Sequence, residues 1–174
     1  MMAVLLPAFI HAQNVNIPDT NFKNMLISLG VDTNADGEIQ YSEAQNVDSL
    51  NLFTMTDLIA DLTGIEAFIN LQYLNCSYHL LTTLDFSSNV LLKDLNCSFN
   101  CLTTLNVSEC TLLEHLKCSF NQLDSLDISN LANLQDLDCW HNTLTYLDVS
   151  TNPDLELIYC ENNYLSGLNL SFHP

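Results

Sequence analysis

The sequence predicts an α/β solenoid, a stack of similar short coils in one elongated domain. Cysteine recurs every 21 residues, at Cys76, Cys97, Cys118, Cys139 and Cys160. Leucine columns run in step with it, as at Leu71, Leu92, Leu113, Leu134 and Leu155. The chain has 174 residues, 48% of them hydrophobic, which suits one domain. A fixed period of about 20–30 residues is typical of units that bury their apolar sides against their neighbours.

The first twelve residues, 1–12, are apolar and end at Ala12. A signal peptide has such an apolar stretch and ends in a small residue, although the positive residues that normally precede it are missing here. We predict a signal peptide, complete or cut short at its start, and hence an exported protein. Nothing later in the sequence has the length and hydropathy of a membrane-spanning helix.

Residues 14–46 lack the leucine repeat and are predicted to form a helical cap on the first coil. Asp19 or Thr20 is suited to begin a helix over residues 20–29, and Gly30 is suited to end it. The apolar stripe expected to face the core consists of Phe22, Met25, Leu26 and Leu29. One or two further helical turns are predicted over residues 41–46.

The loop between these helices, residues 32–43, has the sequence pattern of an EF-hand calcium loop. Calcium binds about six to eight oxygen atoms, and this loop supplies them at the expected spacing. The candidate ligands are the side chains of Asp32, Asn34, Asp36, Gln40 (directly or through a water) and Glu43, and the backbone carbonyl of Glu38. We predict a structural calcium ion. The alternative is an acidic turn that keeps the shape without the metal.

Residues 47–174 are the repeats, with one unit of 24 residues followed by units of 21. Each 21-residue unit has an inward strand of the pattern L-x-x-L-x-C, a turn, and the pattern L-T-x-L on the opposite side. The return path of the first unit, residues 61–68, is predicted to contain a short helical turn. We interpret the column cysteines as small buried hydrophobes, since thiols on neighbouring strands point in parallel and do not meet disulfide geometry. Cys101 and Cys110 lie outside the column, and a disulfide between them stays open.

Two polar columns accompany the leucines. The first consists of His79, Asn100, Asn121, Asn142 and Asn163. We predict that these side chains hydrogen-bond backbone groups of the next coil that would otherwise be buried without partners. The second consists of Asp85, Asn106, Asp127, Asp148 and Asn169. We expect these residues to hydrogen-bond the turn backbone on the convex side, and the alternative is a ladder of cation ligands.

The repeat pattern L-x-x-L-x-[L/C]-x-x-N-x-L resembles a leucine-rich repeat. The 21-residue form is similar to secreted leucine-rich-repeat proteins of Bacteroidetes bacteria, and the longer first unit, with D-L-T-G-I-E, resembles the internalin type. The resemblance implies a curved solenoid with a parallel β-sheet on its concave face and an N-terminal helical cap. It also implies protein binding, adhesion or host contact by a secreted or cell-surface bacterial protein.

The residues that alternate with the buried ones are predicted to line the concave sheet. Exposed aromatic side chains beside a polar sheet are typical of contact sites for proteins or glycans. The candidate partner-binding residues are Tyr73, Tyr78, Phe99, His115, Lys117, Phe120, Asp136, Asp138, Trp140, His141 and Tyr159. The serines after the column cysteines, Ser77, Ser98 and Ser119, are also expected on this face. A structural alternative is that Phe99 and Phe120 fold into the turn and stack on each other as support.

Charge and motif content exclude several functions. With three lysines, no arginine and a net charge of −18, the chain lacks the cations that bind nucleic acids or anionic membranes. It has no G-x-S-x-G, no H-E-x-x-H and no glycine-rich phosphate loop, so we predict that it is not an enzyme.

The predicted function is a secreted protein-binding module with a structural calcium ion. One alternative is a glycan-binding module that uses Trp140 and the aromatic column. Another is a targeting or spacer segment of a larger secreted protein, since Leu168 and Leu170 are expected to leave an open apolar end.

Overall fold

Short strands and two helices make up residues 13–169, the part of the chain that the computed structural model describes. The helices are α1 (Thr20–Ser28) and α2 (Tyr41–Ala44), and neither is long and apolar enough to cross a membrane. The strands are β1 (Ser49–Asn51), β2 (Tyr73–Asn75), β3 (Thr83–Asp85), β4 (Asp94–Asn96), β5 (Thr104–Asn106), β6 (His115–Lys117), β7 (Asp136–Asp138), β8 (Leu147–Asp148), β9 (Leu157–Tyr159) and β10 (Leu168–Asn169). A 3₁₀ turn at Ile65–Ala67 lies where the sequence predicts a helical turn. The predicted signal peptide, residues 1–12, and Leu170 lie outside the described residues.

The main sheet has six parallel strands in the order β1-β2-β4-β6-β7-β9. The other strands form two separate pairs, β3 with β5 and β8 with β10. The central residues of the six strands stand in register: Leu50, Leu74, Leu95, Leu116, Leu137 and Ile158. The five leucines are buried and their neighbours face outward, because successive side chains of a strand point to opposite faces. The predicted leucine-rich-repeat solenoid is confirmed.

The column cysteines lie in the interior beside the leucines. Cys76, Cys97, Cys118 and Cys139 have no exposed surface, and Cys160 is half-buried in the last described coil. Burial raises the pKa of the Cys76 thiol to about 12, so this thiol stays protonated at neutral pH. All seven cysteines are free, so Cys101 and Cys110 do not form a disulfide in this structure.

The inward polar column joins adjacent coils. Asn121 Oδ1 accepts a hydrogen bond from the backbone N–H of Leu102 (2.9 Å), and Nδ2 donates to the carbonyls of Cys97 (3.1 Å) and Cys118 (3.0 Å). The same pattern recurs at Asn100, Asn142 and Asn163. The sequence analysis predicts bonds to the next coil, and this is wrong, because each asparagine side chain points toward the preceding coil and donates to its cysteine carbonyl.

Helix α1 begins at an acidic cap. Asp19 Oδ1 accepts hydrogen bonds from the backbone N–H groups of Asn21 (2.9 Å) and Phe22 (3.0 Å). Asp19 Oδ2 accepts from those of Ala60 (2.8 Å) and Asp61 (3.1 Å) in the first coil. Burial raises the pKa of Asp19, but these hydrogen bonds outweigh it and hold the pKa below its ordinary value. One carboxylate therefore starts the helix and fixes it to the repeats.

The apolar stripe of α1 is narrower than the sequence predicts. Phe22 and Leu26 are fully buried, and Met25 is partly buried. Leu29 is 47% exposed, so its prediction as a core residue is wrong. The helix ends one residue earlier, and Leu29 is its C-cap. Gly30 follows with a φ of 79°, the left-handed conformation that ends many helices.

The serines that follow the column cysteines are buried, which contradicts their predicted place on the concave face. Ser77, Ser98 and Ser119 are 3%, 5% and 4% exposed. The strands β2, β4 and β6 each end two residues before these serines, so the strand alternation of inward and outward side chains no longer determines where the serines point. In the second strand, Asn75 Oδ1 accepts a hydrogen bond from the N–H of Ser77 (3.1 Å), which turns the chain inward.

The second polar column forms turns outside the main sheet. Its side chains accept a hydrogen bond from the N–H of the serine two residues on, at 2.9 Å between Asp85 and Ser87. The same bond is present at Asn106, Asp127 and Asp148. The predicted turn-forming role is confirmed at these four positions, and the side chain of Asn169 lies outside the described part.

Candidate functional site

Four rings stack along one edge of the main sheet, and we call them the aromatic ladder: Tyr78, Phe99, Phe120 and His141. The ring centroids of Tyr78 and Phe99 are 4.3 Å apart, as are those of Phe99 and Phe120, with interplanar angles of 12° and 15°. His141 continues the stack at 4.8 Å from Phe120. Tyr78 and Phe99 remain 38% and 36% exposed. The rings therefore support one another, as the structural alternative expects, and still face solvent.

Each residue of the aromatic ladder has a left-handed backbone, with φ angles of 64°, 57°, 53° and 56° in chain order. This conformation costs a residue with a side chain roughly 1–2 kcal/mol. Asp57 and Asn162 hold the same position at the two ends of the column, and Asp and Asn tolerate the conformation well. Rings thus occupy positions whose backbone favours small polar residues. Such strain is often kept at functional sites.

Two further aromatic residues extend the ladder. Phe53 meets Tyr78 edge-on at 5.4 Å, and Trp140 meets Phe120 edge-on at 4.6 Å. Phe53 is 44% exposed and is not among the sequence candidates. The longer first unit places it 25 residues before Tyr78, outside the 21-residue spacing that identified the column. The only signal for it was the predicted alternation of the first repeat strand, although Phe53 lies two residues past the end of β1.

The concave face beside the ladder carries the predicted polar candidates. His115 Nδ1 lies 2.7 Å from Asp136 Oδ2 on the neighbouring strand. Tyr73, Lys117 and Tyr159 are exposed. Because β2 and β9 are four strands apart, Tyr73 and Tyr159 lie at distant points of the face. The structure therefore gathers the candidates into a strip along the solenoid and not into one compact site.

A cleft of about 470 Å³ lies on the last strands of this face, and we call it the Trp140 cleft. It is lined by Asp138, Trp140, Tyr159 and Glu161. Asp138 Oδ1 accepts a hydrogen bond from the N–H of Trp140 (3.2 Å), and Oδ2 accepts one from the hydroxyl of Ser119 (3.1 Å). Glu161 is not among the sequence candidates. The predicted alternation places it outward although it lies two residues past the end of β9, and its proximity to Trp140 depends on how neighbouring coils stack.

A second depression, of about 420 Å³, is lined by turn residues that include Asp127, Ser129 and Tyr146. Asp127 already accepts a hydrogen bond from Ser129 there. This depression shares no residue with the ladder or the Trp140 cleft. The Asp127–Ser129 hydrogen bond belongs to a turn, so it does not mark a binding site.

The predicted calcium loop, residues 32–43, follows α1 and ends within α2, and it turns at Gly37, whose φ is 82°. Asp32 Oδ2 accepts a hydrogen bond from the N–H of Gly37 (2.9 Å). Asp36 Oδ2 accepts hydrogen bonds from the amide nitrogens of Asn34 and Gln40, both at 3.0 Å. The side chains of Asn34, Asp36 and Gln40 therefore converge, and Asp32 is tied to the same turn.

Glu43 closes the loop and is only 7% exposed. Its Oε1 accepts hydrogen bonds from the N–H groups of Thr33 (2.7 Å) and Asn34 (3.3 Å), and its Oε2 accepts one from that of Gln40 (2.9 Å). Burial raises the pKa of Glu43, but these hydrogen bonds outweigh it, so the pKa lies below its ordinary value. The last loop position therefore holds a buried, ionised carboxylate, which is suited to a cation.

The oxygen atoms that the loop offers are of the types that calcium binds. Among residues 13–169, no group of three or more His, Cys, Asp or Glu side chains is placed to hold a metal by itself. The loop instead mixes three carboxylates with the amides of Asn34 and Gln40 and the carbonyl of Glu38. Calcium accepts all of these oxygens. Lys23 pairs with the Glu38 carboxylate, which leaves the backbone carbonyl of Glu38 as the candidate ligand at that position.

No protein-family model and no curated protein sequence matches the chain. Among solved structures, the functional domain of InlJ from Listeria monocytogenes is 30% identical with a TM-score of 0.60, over 91% of this chain and 44% of that one. The internalin InlF of the same bacterium is 23% identical with a TM-score of 0.73, over 90% and 47%. A leucine-rich-repeat protein of Leptospira interrogans is 20% identical with a TM-score of 0.52, over 70% and 40%. The match spans less than half the length of each of these solved chains.

The fold and these neighbours define the class: the chain is a leucine-rich-repeat solenoid. Within that class it resembles the bacterial internalins, as the sequence pattern predicts. The InlJ domain includes a cysteine ladder, and the column from Cys76 to Cys160 is a feature of the same kind in this chain.

Proposed function

We propose that this chain is a secreted or cell-surface bacterial module that binds a protein partner through the aromatic ladder and the concave face beside it. The observation that carries the proposal is the ladder, whose stacked rings stay partly exposed in a backbone conformation that is unfavourable for bulky side chains. Aromatic residues supply much of the binding energy at protein interfaces. The internalin-like neighbours support a role in protein interaction.

The proposed contact surface extends along the whole main sheet. Six strands spaced about 4.8 Å apart give a face roughly 24 Å long. The aromatic ladder supplies an apolar edge along this face, and the His115–Asp136 pair and Lys117 supply polar groups at its centre. An apolar patch beside polar groups is the usual composition of a protein interface.

The double substitution Phe99→Asn and Phe120→Asn tests the proposal. Asparagine tolerates the left-handed backbone, as Asn162 does in the same column, so the coils should still stack while two central rings are lost. We expect binding to partners found on a protein array to weaken about tenfold or more. Tyr164→Asn is the matched control, because Tyr164 is 73% exposed and lies outside the ladder.

Unchanged protein binding by the double variant, with an unchanged melting temperature, would contradict the proposal. Binding to a glycan array alone, lost on Trp140→Ala, would favour the glycan-binding alternative. Absence of binding on both arrays would favour a spacer segment.

We also propose that calcium stabilises the N-terminal cap. The support is the loop at residues 32–43, in which the amide groups of Asn34 and Gln40 meet the carboxylate of Asp36 and the carboxylate of Glu43 is buried. The role would be structural, because α2 has only four residues and is followed closely by β1, so no long exit helix is present to move. Bound calcium would neutralise carboxylates that otherwise repel one another in the same loop.

A further inference from the structure

We infer that the Trp140 cleft is a subsite for a positively charged side chain, lysine or arginine, of the protein partner. This inference rests on the proposed function, since it names the chemistry that one end of the proposed surface would recognise. It is carried by the arrangement of the four lining residues and by the distribution of charge around them.

The lining residues alternate acidic and aromatic side chains. Asp138 and Tyr159 are register partners on β7 and β9. Trp140 and Glu161 follow two residues later on the same two coils. Asp138 therefore lies across from Tyr159 and two residues before Trp140, and Glu161 lies across from Trp140 and two residues after Tyr159. The cleft of about 470 Å³ between them has room for the end of one long side chain.

This chemistry selects a cation. A cation over an aromatic face is attracted by the ring, most strongly by tryptophan. Ionised carboxylates only accept hydrogen bonds, and the ammonium of lysine and the guanidinium of arginine only donate them, so the two sets complement each other. A sugar hydroxyl can also donate to these carboxylates, but it carries no positive charge and therefore lacks the ion-pair attraction that a lysine or arginine side chain gains.

The chain itself offers little to neutralise this charge. The ion pairs within residues 13–169 are Lys23 with Glu38 and His115 with Asp136, and neither involves the cleft. Lys117 is the register partner of Asp138, yet it is not within ion-pair distance of it. Lys117 therefore opposes an incoming cation only at a distance, while Asp138 and Glu161 attract it directly.

The test uses Trp140, the one tryptophan of the chain, as a fluorescent reporter. N-acetyl-arginine amide is titrated into the full chain, beside N-acetyl-citrulline amide, which has nearly the same shape without the charge. We expect a saturable change with the arginine compound and at least a threefold weaker response to the citrulline compound, about the size of an exposed ion-pair effect. Two saturation curves of equal affinity would overturn the inference, and so would the absence of saturation by the arginine compound.

Three variants assign the effect to the cleft. Glu161→Gln keeps the side chain's size and should weaken arginine binding about threefold, whereas Lys117→Gln should strengthen it by a similar factor. Asp154→Asn removes one negative charge from an exposed position outside the cleft and should have little effect. If Glu161→Gln and Asp154→Asn weakened arginine binding equally, the net charge of the protein would explain the binding, and the subsite would be overturned.

The outcomes separate this inference from the proposed function. If the ladder double variant loses its protein partners while arginine amide does not bind at all, the subsite fails and the proposed function stands. If no protein binds but arginine amide binds in a Glu161-dependent way, the proposed function fails and the cation subsite remains. Saturation by a methyl galactoside, unchanged by Glu161→Gln, would assign the cleft to glycans and overturn the inference.

Discussion

At the scale of single residues, His79 holds the position that asparagine holds in the following coils. The backbone N–H of Ile59 donates to Nδ1 at 3.2 Å, so Nε2 carries the proton and donates to the carbonyl of Leu52 at 3.0 Å. The ring is 4% exposed. Burial lowers the pKa of His79, because protonation would place a charge in the interior and remove the acceptor of Ile59.

We predict that the free energy of unfolding decreases as the pH falls below 6.5, the ordinary pKa of His79. Below this pH the unfolded chain binds a proton at His79 that the folded chain does not bind. The loss of unfolding free energy is therefore absent above pH 6.5 and increases as the pH falls toward the lowered pKa of His79 in the folded chain. The slope is at most about 1.4 kcal/mol per pH unit. Urea denaturation at several pH values measures it.

His79→Asn restores the residue of the column and should flatten this part of the profile. His141→Asn is the matched control, because His141 is exposed and the slope should remain. Identical pH profiles for the parent and His79→Asn would exclude His79 as the source.

The sequence predicts the inward position of His79 but not all that its neighbours do. Periodicity shows which residues recur, and recurrence is enough to place a column inside the coil. It does not give backbone angles, so the left-handed conformation of the aromatic ladder was not predicted. The burial of Ser77 was missed for a related reason, since alternation along a strand says nothing once the strand has ended.

At the scale of elements, the N-terminal cap is the part whose stability should depend on a ligand. We predict that removing calcium with a chelator lowers the melting temperature, because an ion that binds only the folded cap stabilises it. Extracellular sites of this kind have dissociation constants of roughly 10⁻⁴–10⁻³ M. Calcium at about 100 times the dissociation constant would contribute about 2.7 kcal/mol. Thermal melts followed by circular dichroism, with calcium and with chelator, measure the difference.

Asp36→Asn removes a carboxylate from the loop and should shrink the calcium response. Asp61→Asn is the control, since it removes an exposed carboxylate outside the loop. A parent protein that melts at the same temperature with calcium and with chelator would rule out a metal-stabilised cap.

The elements themselves were largely predictable. The 21-residue period and the alternation within each L-x-x-L-x-C segment predict the inward strand of each coil, and Asp19 and Gly30 predict the limits of α1. The exposure of Leu29 was missed, because its N–H still donates to the carbonyl of Met25 (2.9 Å) and its helical spacing is kept. Helical spacing alone does not show how far the repeats cover the stripe.

At the scale of the whole molecule, each coil is stabilised by the coils above and below it. Leu116 is fully buried and lies between Leu95 and Leu137 in the register of the main sheet. We predict that Leu116→Ala lowers the free energy of unfolding by about 2–5 kcal/mol, because the cavity weakens the contacts on both sides. Leu112→Ala, at a position that is 39% exposed, should change it by roughly 0.5 kcal/mol or less. Urea denaturation that gives similar values for both variants would place Leu116 outside the core.

The burial of the column cysteines affects the redox conditions under which the protein can keep its structure. Oxidants attack thiolates that they can reach, and the first four thiols of the column are fully buried, with pKa values that burial raises above the ordinary value. The stack holds without any covalent cross-link, so neither a reducing nor an oxidising medium has a bond in its interior to break or to form. The packing around Cys76, Cys97, Cys118 and Cys139 can therefore stay constant when the redox conditions of the surroundings change, whereas Cys101 and Cys160 are only partly buried.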